Sequence, residues 1–224
     1  MTNYPLPMPE YRCRVNLNLY DSPECTRLAT QAAAFRHLRL VSLDNDKAVG
    51  VRLCEDDYPG WLPIGDKILL EETTTFYRAI ALSFTDIRDR LPSVIAFTLA
   101  AMAQPNCYLW GGTVGPNYDC SGLMQAAFAS TGIWLPRDAY QQEAFTETIP
   151  IEQLLPGDLV FFGTPQKATH VGLYLGEGNY IHSSGEKMGR NGIAIDLLSD
   201  SGDDVSRYYY QQLRGAGRVV KSYP

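Results

Sequence analysis

The chain has 224 residues, room for one large domain or two small ones. Its 45% hydrophobic and 20% charged content is that of a globular protein. The formal charge is -6 and no Lys/Arg-rich run occurs, so a nucleic-acid footprint is absent and adhesion to an anionic membrane is disfavoured.

The opening Met1-Thr-Asn-Tyr-Pro-Leu-Pro-Met-Pro9 has neither a basic stretch nor the apolar run of a secretory signal. The longest nearly apolar run, residues 94–103, lies between Pro92 and Pro105 and falls well short of the roughly 20 residues that cross a bilayer. The expectation is a cytoplasmic protein. Cys13, Cys25, Cys54, Cys107 and Cys120 form an odd set without a CxxC pair, which reads as reduced thiols of which one is chemical.

Along the chain, residues 1–80 read as all-β. Short apolar segments at 11–19, 38–42, 48–54 and 61–64 alternate with turn clusters at 21–23, 44–46 and 56–60, the pattern of a small barrel. The alanine-rich stretch 32–37 is a candidate for an added helix. From residue 81 the period changes. Ile87, Leu91, Ile95, Leu99 and Met102 recur at intervals of three and four, predicting a helix over 85–104 despite Pro92. A Gly-rich turn at 110–118 precedes a second helix, from Cys120 to about Thr131, ended by Gly132. Strands follow at 159–162, 170–175, 180–183, 193–197 and 214–220. Helices followed by antiparallel strands make an α+β domain over 81–224.

Asp119-Cys120-Ser121-Gly122 carries the most chemistry. Asp119 is a natural N-cap, which puts Cys120 at the first helical position. There the helix dipole and unsatisfied backbone N–H groups favour a thiolate, and the amides of Cys120 and Ser121 are candidates for an oxyanion hole. Two of the three histidines, His170 and His182, share one predicted hairpin around Gly176-Glu-Gly-Asn179. An odd residue count in its loop puts both on one sheet face; an even count separates them and dissolves a triad. On a shared face, His170 accepts the Cys120 proton and His182 orients it. A zinc site of Cys120, His170 and His182 is the rival use of the same residues, made less attractive by the lack of a fourth ligand. His37 reads as a surface or packing residue.

Tyr108-Leu-Trp-Gly-Gly112, Asp119-Cys-Ser-Gly122, Leu135-Pro-Arg137, Leu155-Pro-Gly-Asp-Leu159, His170-Val-Gly172 and Tyr180-Ile-His182 together resemble the NlpC family of cell-wall peptidases in order and spacing, over residues 93–220. The early Asn18-Leu-Tyr-Asp-Ser-Pro23 and the later Gly60-Trp-Leu62 resemble a bacterial SH3-type domain. The resemblance implies an SH3-like β-barrel followed by a papain-like α+β domain with a Cys120–His170–His182 triad. It further implies hydrolysis of the γ-D-glutamyl–diamino acid bond in murein stem peptides, without a cofactor, metal or obligate protein partner.

Proteins of this family with an SH3-type domain look like recycling enzymes that require a free N-terminal L-Ala. On that resemblance Asp119 and Tyr58 are candidates to hold the ammonium, Asp119 also serving as a cap. Trp110, Tyr108 and Ser121 are candidate substrate contacts; packing is the competing role for Trp110 and Tyr108, and that of a first-turn helix residue for Ser121. Arg137 is expected in a structural ion pair. The alternatives are an exported wall-remodelling hydrolase, a catalytically silent peptide-binding module and a thiol acyltransferase on the same fold.

Overall fold

The computed structural model describes residues 9–42 and 46–224. The opening octapeptide and the Asp44-Asn45 part of one expected turn lie outside the described residues. The chain divides after Arg78 into two compact units.

The first unit is an antiparallel sheet of seven strands: β1 (Glu10–Cys13), β2 (Leu17–Tyr20), β3 (Leu28–Ala32), β4 (His37–Ser42), β5 (Ala48–Leu53), β6 (Pro59–Pro63) and β7 (Leu70–Thr73), in the order β3-β2-β6-β5-β4-β1-β7. Alternation sets its core: Leu17 and Leu19 of β2, with Val49, Val51 and Leu53 of β5, are buried beside Cys13, Leu38 and Leu62. The helix considered for 32–37 does not form. Ala32 ends β3, and Phe35, at φ 73°, sits in a left-handed turn whose amide donates to the Cys13 carbonyl at 2.7 Å. A single left-handed residue ends any helix there, so strand pairing overrides the alanine propensity.

The second unit opens with α1 (Phe84–Met102), capped by a reciprocal Ser83–Asp86 box and continuing through Pro92. The Gly-rich turn becomes a small hairpin, β8 (Thr113–Val114) and β9 (Asn117–Tyr118). Then come α2 (Cys120–Ala129), α3 (Ala139–Phe145), β10 (Glu147–Ile149), β11 (Leu159–Gly163), β12 (Ala168–Gly176), β13 (Asn179–Ser184), β14 (Gly192–Leu197), α4 (Asp204–Tyr210) and β15 (Leu213–Arg218). The sheet order is β10-β15-β11-β12-β13-β14. Helix α2 is apolar on nearly every side, so it must be enclosed. It buries Leu123, Met124, Ala127 and Phe128 against Ile87 and Val94 of α1 and Val171 and Leu173 of the sheet. Each such large side chain contributes roughly 1.5–3 kcal/mol by leaving water. Helices α3 and α4 are additions to the sequence expectation.

Candidate active site

Helix α2 begins where expected. The Asp119 carboxylate accepts the Gly122 amide at 2.7 Å, capping the helix with Cys120 as its first residue. Two glycines let the preceding loop lie against this turn. A Cβ on Gly122 would stand 1.9 Å from the Gly112 carbonyl oxygen, and a Cβ on Gly112 would stand 2.5 Å from that of Asn117. The Gly112 carbonyl in turn accepts the Asp119 amide at 3.1 Å. The spacing of Gly-Gly and Cys-Ser-Gly is therefore a close backbone crossing that only glycine allows.

Asp119 is fully bonded within its unit. One oxygen accepts from Gly122, from Arg137 Nη1 at 3.1 Å and from the Ser121 hydroxyl at 3.3 Å; the other accepts from Arg137 Nη2 at 2.6 Å and the Gly111 amide at 2.9 Å. Arg137 is 2% exposed and also donates to Ser121 Oγ at 2.9 Å. The expected structural ion pair of Arg137 is thus with Asp119, and it neutralises the carboxylate beside the thiol. These contacts describe Asp119 and the Ser121 side chain as supports of the helix start. An ammonium would reach Asp119 only by displacing one of its present donors.

Cys120 is 7% exposed. Burial pushes its thiol up to about 12, with the Asp119 charge adding to the rise, while the backbone N–H groups of Ser121 and Val171 and the Arg137 charge pull the other way. Desolvation outweighs the helix N-terminus at Cys120, so burial pushes the thiol in the direction opposite to the one expected from the dipole alone. His170 is held well below its ordinary 6.5, first by burial and then by the proximity of His182.

The two histidines share a face because of one irregular residue. Glu177 and Gly178 form a two-residue hairpin loop with φ of 52° and 77° and pair Gly176 with Asn179. That loop alone would set His170 and His182 on opposite faces. A bulge at Leu175 shifts the register, so that Tyr174 pairs with Tyr180 and Leu173 with Ile181, and the parity is restored. His170 Nε2 lies 2.6 Å from His182 Nδ1. A Cβ on Gly172 would meet that of His182 at 3.3 Å, so glycine there leaves room for the diagonal contact.

The row continues past the expected triad. His182 is paired with Ala194 across β13 and β14, and Asp196, two residues on, places Oδ2 2.6 Å from His182 Nε2. Asp196 lies outside the residues expected from the sequence. The available signal was a carboxylate inside the apolar run Ile193-Ala-Ile-Asp-Leu197, since a buried acid needs a partner. Tyr209 of α4 stacks on His170 with centroids 4.3 Å apart. With both His182 nitrogens engaged, a zinc set of Cys120, His170 and His182 would have to break one of these bonds. Among the described residues no cluster of His, Cys, Asp and Glu has metal-binding geometry.

Tyr108 is half-buried. Burial, then the charges of Cys120 and Asp119, raise its phenol, leaving a protonated donor in the neighbourhood of the thiol. Trp110 is 57% exposed, which removes the core role that competed with a substrate contact. Tyr58 lies in the first unit, in the turn between β5 and β6, packed against that unit's own core.

A buried helix carrying a thiol at its N-terminus, packed on an antiparallel sheet that presents two histidines in a row, defines the papain-like α+β class. Residues 105–214 match the profile of the NlpC/P60 family, and residues 19–66 match that of the bacterial dipeptidyl-peptidase Sh3 domain. The chain belongs to the NlpC/P60 family of cell-wall peptidases, with an SH3-type domain ahead of the peptidase domain.

Among its relatives, a γ-D-glutamyl-L-lysine dipeptidyl-peptidase of Bacillus cereus is 32% identical over 195 residues, covering 80% of this chain and 56% of that protein. A probable endopeptidase p60 of Listeria welshimeri is 39% identical over 124 residues, covering 54% of this chain and 22% of that one. The chain spans about half or less of the length of these two curated relatives. The solved peptidoglycan hydrolase RipB of Mycobacterium tuberculosis aligns with a TM-score of 0.50 at 24% identity, covering 63% of this chain and 70% of that one, a likeness of fold.

Proposed function

We propose that this protein is a cysteine endopeptidase cleaving the γ-D-glutamyl–diamino acid bond of murein peptides with a free N-terminal L-Ala. The observation that carries the chemistry is the His170–His182 contact of 2.6 Å in the domain whose buried helix starts at Cys120. Support for the substrate class comes from the Bacillus cereus relative, a γ-D-glutamyl-L-lysine dipeptidyl-peptidase, which aligns across both units.

Substrate binding brings the γ-carbonyl carbon to Cys120. The thiol proton passes to His170 as sulfur attacks, so the charges that appear in the buried site are the His170 imidazolium and the tetrahedral oxyanion. The Cys120 and Ser121 amides at the helix start and the Tyr108 phenol are the donors proposed for that oxyanion. Collapse gives a thioester and expels the diamino acid, whose amine takes the proton from His170. Water then gives a proton to His170, attacks the thioester and releases L-Ala-D-Glu, returning the proton to sulfur.

Trp110 is assigned to the wall of the peptide site and Tyr58 to the free amine. Asp119, which also caps the helix, would share the ammonium by exchanging one of its present donors. The setting we infer is recycling of released stem peptides in the bacterial cytoplasm.

The test is mass spectrometry of L-Ala-γ-D-Glu-diaminopimelate incubated with reduced enzyme, beside an N-acetylated copy. Cleavage of the free peptide alone supports the whole reading. Cleavage of both keeps the peptidase and removes the amine requirement, and cleavage of neither overturns the substrate assignment.

A further inference from the structure

Behind His182 the row ends in a clamp outside the triad. Asp196 Oδ2 accepts from His182 Nε2 at 2.6 Å and from Arg190 Nε at 3.1 Å, and Asp196 Oδ1 accepts from Arg190 Nη2 and, at 3.3 Å, from the Ser206 hydroxyl. Arg190 Nη2 also reaches Asp203 Oδ2 at 2.7 Å, and Asp203 caps α4 by accepting the Ser206 amide at 2.9 Å. Helix α4 is the element that lays Tyr209 on the His170 ring. One guanidinium thus ties the carboxylate behind His182 to the cap of the helix that covers His170.

The protons in this row can be placed in order. An ionised carboxylate only accepts, so His182 Nε2 donates to Asp196. A neutral imidazole with its proton on Nε2 has its lone pair on Nδ1, so the 2.6 Å contact is filled by His170 Nε2 as donor. His170 is then left with its lone pair on Nδ1, the nitrogen not engaged by His182. Burial lowers both rings from the ordinary histidine value, the direction this ordering requires.

We propose that Asp196, held by Arg190, is a positioning residue that fixes the tautomers of His182 and His170 in series, so that His170 Nδ1 is the base offered to Cys120. Asp196 acts only through His182, and Arg190 only through Asp196 and Asp203. The proposal rests on the Cys120–His170 pairing put forward above. Its readouts need no peptide, so an error in the substrate leaves them untouched.

The experiment is nitrogen-15 NMR of histidine-labelled protein with iodoacetamide labelling of Cys120, on wild type, Asp196→Asn and Arg190→Met. Expected in the wild type are His170 and His182 both protonated on Nε2. Protonation of either on Nδ1 would overturn the proposal without recourse to any variant. In Asp196→Asn the bond-accepting charge is gone and an amide N–H can face His182 Nε2. Expected there is a shift of both rings toward the Nδ1–H form and alkylation slowed on the order of 100-fold, the lower range for a misplaced general base. Arg190→Met, which loosens the carboxylate but leaves its charge, is expected to slow alkylation less than Asp196→Asn while keeping both rings on Nε2–H. Wild-type tautomers with alkylation within threefold in Asp196→Asn would show a structural role only and refute the assignment.

Discussion

Replacing Arg137 with Met should expose how far Cys120 depends on the buried ion pair at the start of its helix. Arg137 is 2% exposed and makes two bonds to the Asp119 carboxylate, at 2.6 and 3.1 Å, and one to Ser121 Oγ at 2.9 Å. Methionine keeps the volume but strands a carboxylate that is itself 6% exposed. Breaking such a pair from one side costs about 3–5 kcal/mol. The Gly111 and Gly122 amides remain bonded to Asp119, so the lower end, about 3 kcal/mol, is expected. For a domain of this size that lowers the melting temperature by roughly 6–12 °C.

The same change removes the cation opposing Asp119 beside the thiol, so Cys120 should rise further and alkylate more slowly. The assay is urea unfolding followed by Trp110 and Trp134 fluorescence in a Trp61→Phe background. Arg137→Met, Asp119→Asn and the double variant complete a cycle, with a coupling of about 1–3 kcal/mol expected between the two sites. A loss below about 1 kcal/mol for Arg137→Met, or additivity in the double variant, would refute the reasoning.

Gly122→Ala should destabilise the peptidase domain by at least ~1–3 kcal/mol, because the clash is with a backbone carbonyl that is itself bonded to Asp119; an unchanged melting temperature would contradict the crossing described above. Stability should also fall as pH drops below about 6.5, the ordinary histidine value. Burial lowers the folded-state values of His170 and His182, so in that window the unfolded chain binds more protons, and each histidine contributes a slope of up to ~1.4 kcal/mol per pH unit. Urea titrations between about pH 7 and pH 5 read this slope, which should flatten in His170→Gln; a flat wild-type profile would argue against two buried neutral rings.

Much of this site is legible in the chain itself. Asp119, Cys120 and Gly122 sit within four consecutive residues, so capping and the first helical position follow from local rules. The core strands are legible too, because alternation at Leu17 and Leu19 is local. What sequence left open is non-local. The shared face of His170 and His182 turns on the Leu175 bulge, which no residue type announces. Asp196 is joined to them only by the β13–β14 register, and Arg190 and Tyr209 only by a short loop and the short helix α4. The opposing effect of burial on Cys120 was hidden for a similar reason. The helix end is written in four residues, whereas the burial that outweighs it is assembled from α1, α2 and the sheet. The 32–37 stretch shows strand pairing overriding local alanine propensity.

The most direct test of the account is turnover of the stem peptide by metal-free Cys120→Ala, with product masses compared with wild type under the same reducing conditions. The account predicts release of L-Ala-D-Glu by the wild type and none by the variant, whose melting temperature stays close to that of the parent. Retained cleavage by folded Cys120→Ala would contradict the thiol mechanism outright.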